Sequence, residues 1–167
     1  MTDDVKITWE TGRLTKLMEQ APDIVVEELA AAVTEGSMLL EREAKERTPT
    51  SGAGTLRDSI GALPVEIGGG RVTGGIATSL AYALPIELGS KPHWAPIEPL
   101  IDWVHRKLGK VDAEARSVAR MVQLKIAKKG TKGHFMFRDA GEAVTPQFYR
   151  MLEAALDRAQ VRIEGAR

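Results

Sequence analysis

Residues 22–47 read PDIVVEELAAAVTEGSMLLEREAKER, and Thr48 and Pro49 follow. Within this stretch Val26, Leu29, Ala30, Val33, Leu40 and Ala44 recur at the i, i+3, i+4, i+7 spacing of a helical face, and Glu27, Glu28, Glu35, Glu41 and Glu46 take the opposite side. Pro22 and Asp23 suit a first turn, where a missing N–H costs no hydrogen bond and a carboxylate favours the dipole. Pro49 cannot continue a helix. The pattern therefore predicts one helix over about 23–47, roughly 37 Å long at 1.5 Å per residue, enough to lie across a small sheet.

Working outward, Val5-Lys-Ile-Thr-Trp9 alternates and reads as a short strand or arm, with residues 1–20 as a candidate N-terminal arm. Beyond the helix, Thr48-Pro-Thr-Ser-Gly-Ala-Gly-Thr55 has the composition of an exposed, mobile loop. Enrichment in Val, Ile and Thr predicts strands near 57–67, 71–79 and 82–88, the first two separated by Gly68-Gly69-Gly70. Two prolines make Gly89-Ser-Lys-Pro-His-Trp-Ala-Pro96 a connecting loop. Leu100, Ile101, Val104 and Leu108 mark a short helix closed by Gly109, and Ala115, Val118, Ala119, Val122 and Ile126 mark a second opened by Asp112. Gly130 and Gly133 bracket a basic turn. Thr145 and Pro146 then read as N-cap and first turn of a final helix, about 146–163, with Phe148, Leu152, Ala155, Ala159 and Ile163 on its apolar face. The fold class expected is α+β: a small antiparallel sheet covered by the long N-terminal helix, with a helical pair and a C-terminal helix. We expect a single domain over 1–167, in which 90–136 is a helical insertion carrying the basic loop.

At 167 residues, with 43% hydrophobic and 28% charged residues, the composition suits one soluble globular domain with a true core. No apolar run reaches the roughly 20 residues needed to cross a bilayer, and the Met-Thr-Asp-Asp start lacks a signal-peptide pattern, so residence in the cytoplasm until assembly is expected. Absence of cysteine excludes disulfides, thiol catalysis and thiolate zinc sites. The net charge is zero but uneven, with 8 basic and 13 acidic residues in 1–83, a balance of −5, and 15 and 10 in 84–167, a balance of +5. Such polarity suits a subunit that docks head to tail on copies or neighbours; chance plus one basic loop gives the same count.

Patterns of catalysis are missing. His93, His105 and His134 lie far apart and outside any metal-ligand spacing, and neither Gly52-Ala-Gly54 nor Gly68-Gly69-Gly70 belongs to a phosphate-binding motif. No serine sits in a nucleophile elbow. No cofactor, metal or enzymatic activity is therefore expected. The cations Lys125, Lys128, Lys129, Lys132, His134 and Arg138 could contact phosphates, which leaves a nucleic-acid-binding accessory protein as the alternative function. The neutral chain lacks a recognition signature, and the run otherwise docks on an acidic protein surface or is solvated. Trp103 reads as core packing, while Trp94, in its Pro-rich loop, reads as an edge or interface residue.

Three stretches carry a family resemblance. Glu43-Ala-Lys-Glu-Arg-Thr-Pro49 with Gly54-Thr-Leu-Arg-Asp-Ser-Ile60 supplies a helix end, a glycine loop and a Leu-Arg-x-Ser-Ile strand. Tyr82-Ala-Leu-Pro-Ile-Glu-Leu-Gly89 supplies a strand with a Tyr, a Glu and a terminal Gly. From Pro96, Ile101-Asp-Trp-Val-His-Arg-Lys-Leu108 and Ala115-Arg-Ser-Val-Ala119 lead through Ile126-Ala-Lys-Lys-Gly-Thr-Lys-Gly133 to Phe135. In this order they resemble the tail-completion and neck family of long-tailed bacteriophages, which includes relatives of the lambda-type minor tail protein Z, over about residues 24–160. The family's Asp-Thr-Gly before Leu-Arg is replaced here by Thr50-Ser-Gly-Ala-Gly54, so no contact of that aspartate carries over.

The resemblance implies a structural virion protein of the head–tail junction. It would form a homo-oligomeric ring, most often of six, between the head connector or stopper and the tail tube. Genomic DNA would pass through its lumen without sequence reading, no membrane would be involved, and assembly would begin in the host cytoplasm. Together with the residue reading it nominates Pro49, Gly52, Gly54, Leu56, Arg57, Tyr82, Glu87, Trp94, Trp103, Lys128, Lys129, Lys132 and Phe135 as interface positions. The loop 48–56 would be mobile in a free monomer and ordered at a subunit contact.

Overall fold

In the computed structural model, residues 12–50 and 54–166 are described; the strand or arm read at 5–9, and Gly52, lie outside them. Of the segment 1–20, residues Gly12–Gln20 form helix α1. The stretch that opened the sequence reading is helix α2, Pro22–Arg47, bounded by the two prolines that were expected to bound it. Its partner is helix α7, Met136–Gly165. The two lie antiparallel: Val25 of α2 packs with Leu156, Ala159 and Ile163 of α7, and Ala44 packs with Ala140 at the opposite end. Leu17 of α1 closes the first of these clusters.

The face of α2 differs from the expected one. Val25, Ala32, Gly36, Ser37, Leu39 and Ala44 are its buried residues, and Val26, Leu29, Ala30, Val33 and Leu40 are half-buried. The helix is covered on two sides, by α7 and by the strands, so burial does not follow a single 3.6-residue stripe. Gly36 lets α7 approach, because a Cβ there would stand 2.6 Å from Phe148 Cε2.

Helix α7 begins ten residues before the expected start at 146, and Pro146 lies inside it. An interior proline lacks the N–H that would bond the carbonyl four residues back and costs about 3 kcal/mol. Burial of Met136, Ala140 and Val144 in the added turns offsets that cost. Thr145, expected to cap, instead donates its Oγ1 hydrogen to the Gly141 carbonyl at 2.7 Å.

The segment expected to hold three strands is divided. Helix α3, Thr55–Ser59, replaces the start of the first strand, and Leu56 within it and Ile60 at its end are both buried. Strands β1, Gly61–Ala62, β2, Glu66–Gly68, β3, Arg71–Thr73, and β4, Ile76–Ala77, then form an interrupted antiparallel hairpin. Its registers are Ala62↔Ile76 and Ile67↔Val72. Gly69 and Gly70 turn it with φ of +57° and +70°, a pair of left-handed residues that matches the twist of a two-residue hairpin turn. Glu41 ties this hairpin to α2: its Oε2 accepts from Ala62 N–H at 2.8 Å and its Oε1 from Lys45 at 2.6 Å.

The strand expected over 82–88 is helix α4, Ala83–Leu88. Ala83, Ile86 and Glu87 face inward at i, i+3, i+4 spacing, and Leu84 and Leu88 face out. Ala83 packs with Leu56 and Met136, contacts that a strand's alternation could not give together with burial of Ile86 and Glu87. Strand β5, Gly89–Ser90, pairs antiparallel with strand β6, Thr131–Lys132. Between them run helix α5, Ile97–Leu108, and helix α6, Asp112–Lys129, joined through Gly109 at φ +61°. Their core of Val104, Ala115 and Ala119 is separate from those of the body. The fold is α+β, with short two-stranded antiparallel ladders around a long helix pair.

Candidate functional site

Three glycines build the junction of α4, β5, β6 and α7. A Cβ on Gly89 would stand 2.7 Å from the Gly133 nitrogen, one on Gly130 would stand 2.8 Å from the Lys91 carbonyl carbon, and one on Gly133 would stand 2.8 Å from the Leu88 carbonyl carbon. The obstacles are backbone, so only glycine permits the approach. Across it, His134 N–H donates to the Ile86 carbonyl at 2.8 Å and Phe135 N–H to the Glu87 carbonyl at 3.0 Å. Phe135 takes a left-handed φ of +52° to start α7.

Glu87 completes the junction. It is buried, and its Oε2 and Oε1 accept from the backbone N–H groups of Phe137 at 3.0 Å and Arg138 at 3.1 Å. A carboxylate held on the first N–H groups of a helix satisfies orphan donors and meets the positive end of the helix dipole. Nominated as an interface position, Glu87 therefore works inside the fold.

Beside this junction lies a cleft of about 650 Å³, lined by Pro49 and Thr50 after α2, the start of α3, Tyr82 and Ile86 at α4, α5 and the residue before Phe135. Pro49, Gly54, Leu56, Tyr82 and Trp103, all nominated from sequence, share its wall with Arg106, Lys107 and His134. Leu56 is buried at its floor, Trp103 is half-buried, and Tyr82 is 45% exposed. Thr48 anchors the rim: its Oγ1 donates to the Ala44 carbonyl at 2.6 Å and lies 3.3 Å from Met136 Sδ. Among the described residues no carboxylate lines the cleft, and its aromatic and cationic wall suits an acidic or aromatic side chain of a partner.

The remaining nominees lie elsewhere. Arg57 is exposed on α3. Trp94 is 57% exposed with the Arg120 guanidinium 5.0 Å from its ring centroid, and buried Gln123 pins that loop by donating to the Ala95 carbonyl at 2.6 Å. Lys128 and Lys129 end α6, where cations favour the dipole, and Lys132 is exposed on β6. At the end of the basic run, Arg138 stacks over the Phe135 ring at 3.9 Å and pairs with Asp139 at 2.9 Å.

Sequence reading missed a second cleft, about 680 Å³, between α2, α7 and the Gly74-Gly75 bend, with Val33, Leu40, Phe137, Val144 and Phe148 as its apolar lining. Gly36 in the middle of a helix was the available signal. Among the described residues, no group of three or more His, Asp or Glu side chains is placed to hold a metal, and no helix is long and apolar enough to cross a membrane.

Residues 12–89 match the model of the HK97-gp10-like family, described as "Bacteriophage HK97-gp10, putative tail-component". The matched part, somewhat under half of the chain, runs from α1 to Gly89 and holds Pro49, Gly54, Leu56 and Tyr82 of the cleft but not Trp103 or His134. This part of the chain is similar to a phage tail component, in agreement with the resemblance carried by its sequence motifs. No curated protein and no solved structure matches the chain.

Proposed function

We propose that the protein is a non-enzymatic structural subunit of a long-tailed bacteriophage virion. In this reading it forms a ring, of six subunits as the resemblance implies, that completes the tail or joins it to the head connector or stopper. The observation that carries the reading is the family match over 12–89, which covers α2, the interrupted hairpin and most of the cleft beside the glycine junction. The physical case is consistent with it. Large apolar side chains that a partner could cover stand exposed on several elements, among them Met38, Ile67, Leu84, Trp94 and Met121. The cleft has the aromatic, cationic lining of a docking pocket. DNA passes through the lumen without being read, and no bond is made or broken.

The test is removal of the gene from a producing phage. Filled heads and finished tails should accumulate unjoined or with defective tail ends, and adding the purified protein should restore joined particles. Labelled protein should be found at the head–tail junction by electron microscopy. Normal infectious particles made without the protein, or a label spread along the tail, would refute the reading.

A further inference from the structure

Two helices carry outward faces that nothing in the fold covers. On α6, Met121 and Leu124 are 61% and 42% exposed and share a face with Glu114, Lys125 and Lys128. On α2, Met38 is 60% exposed and shares its face with Ala31, Glu35 and Arg42. Met38 borders a hollow of about 370 Å³ lined also by Glu41, Arg42, Lys45, Glu46 and Arg57.

The two faces carry charge in opposite order relative to one another when the helices run antiparallel. Setting Met121 opposite Met38 brings Lys125 beside Glu35, Lys128 beside Ala31, and Glu114 beside Arg42 and Lys45. A parallel setting would oppose Lys125 to Arg42 and Lys128 to Lys45. Among the described residues, Glu35, Lys125 and Lys128 make no ion pair within the chain. Like charges opposed across an interface repel and unlike charges set register, so orientation follows from the pattern.

We propose that the outer face of α6 in one copy docks antiparallel on the outer face of α2 in the next, with Met121 and Leu124 entering the hollow beside Met38. This inference rests on the assembly reading above and deepens it by naming the two surfaces. The contact is heterologous, since different patches meet, and such contacts propagate and form a ring when the rotation between copies closes. One helix-on-helix contact is small for a specific interface, so a single pair is weak and closure of the ring supplies the stability. The unequal charge of the two halves of the chain, −5 and +5, follows the same division, because α2 lies in the first and α6 in the second.

The test uses the full chain and sedimentation over a range of concentrations. The variant K125E/K128E and the variant A31K/E35K change exposed positions only, and unchanged circular dichroism would show that each folds. Each alone should self-associate several-fold more weakly, since K125E/K128E turns the Lys125–Glu35 pair into a like-charge pair and A31K/E35K opposes lysines to both Lys125 and Lys128. An equimolar mixture should recover near wild-type association, because acidic α6 then meets basic α2. Association of either variant at the wild-type level overturns the contact. So does loss in K125E/K128E alone, the mark of α6 pairing with its own copy, or a mixture that fails to recover. A wild-type protein that assembles while both variants remain unaffected removes only this contact, whereas a wild-type protein that never self-associates and never enters a particle removes the assembly reading with it.

Discussion

Glu87→Ala tests the interior role of the carboxylate that the fold places under α7. The substitution removes two charge-assisted bonds, to the Phe137 and Arg138 N–H groups, and leaves both donors beside a small void. An unsatisfied buried donor costs about 1–3 kcal/mol, and loss of a helix cap about 1 kcal/mol. Water can reach the Arg138 end, since that residue is exposed, so one donor is left unsatisfied and the sum is about 2–4 kcal/mol. For a chain of this size, each kcal/mol lowers the melting temperature by about 2–4 °C, which predicts a drop of roughly 5–15 °C. Glu87→Gln keeps one acceptor and should lose about half as much. Thermal unfolding followed by circular dichroism at neutral pH reads both. A Glu87→Ala protein that melts within about 2 °C of wild type would refute the capping argument, and one that melts normally but no longer self-associates would return Glu87 to an interface role.

Other expectations follow from the same geometry. Gly133→Ala puts a methyl group against the α4 backbone, which cannot move as a side chain could, and should cost about 1–3 kcal/mol in urea unfolding, whereas Gly75→Ala, with open space around it, should cost less than 1 kcal/mol. Hydrogen bonds from Arg158 and then Arg162 hold the Glu28 carboxyl below its ordinary value of 4.5, and Lys45 with the Ala62 N–H does the same for Glu41. Both contributions are present above about pH 4.5 and fade as pH falls through the depressed values, so stability should decline in acid, and Glu28→Gln should destabilise at pH 7 but differ little from wild type near pH 2. Amides around Pro49 and Gly54 should exchange faster in the free protein than in the assembled one; equal protection in both would remove the loop from the interface.

Parts of this fold were legible because their determinants are local. Pro22 and Pro49 bound α2, Gly109 divides α5 from α6, and Gly69-Gly70 turns the hairpin, all as residues acting on their own backbone. Tyr82–Leu88 was not legible, since its pattern fits either period, and packing of Ala83 against Leu56 and Met136 decides between them. Thr145-Pro146 gave a sound local signal for a helix start, but the Glu87 carboxylate, far away in sequence, caps α7 ten residues earlier. The face of α2 was misread for a related reason: a helix covered on two sides has no single stripe to find. The cleft draws its wall from four separated segments. Five of its residues were nominated one by one, and no spacing in the chain could show that they meet.

The glycine junction also bears on how such a chain can vary. Because β5 and β6 pair side by side, the excursion through α5 and α6 leaves and rejoins the body at adjacent points. Its length is thus mechanically uncoupled from the helices beneath it: the excursion could be trimmed to a tight turn or extended, and α4 and α7 would keep their places. The family match stops at Gly89, the first foot of that detour. The excursion departs and returns where three residues without side chains let two strands touch.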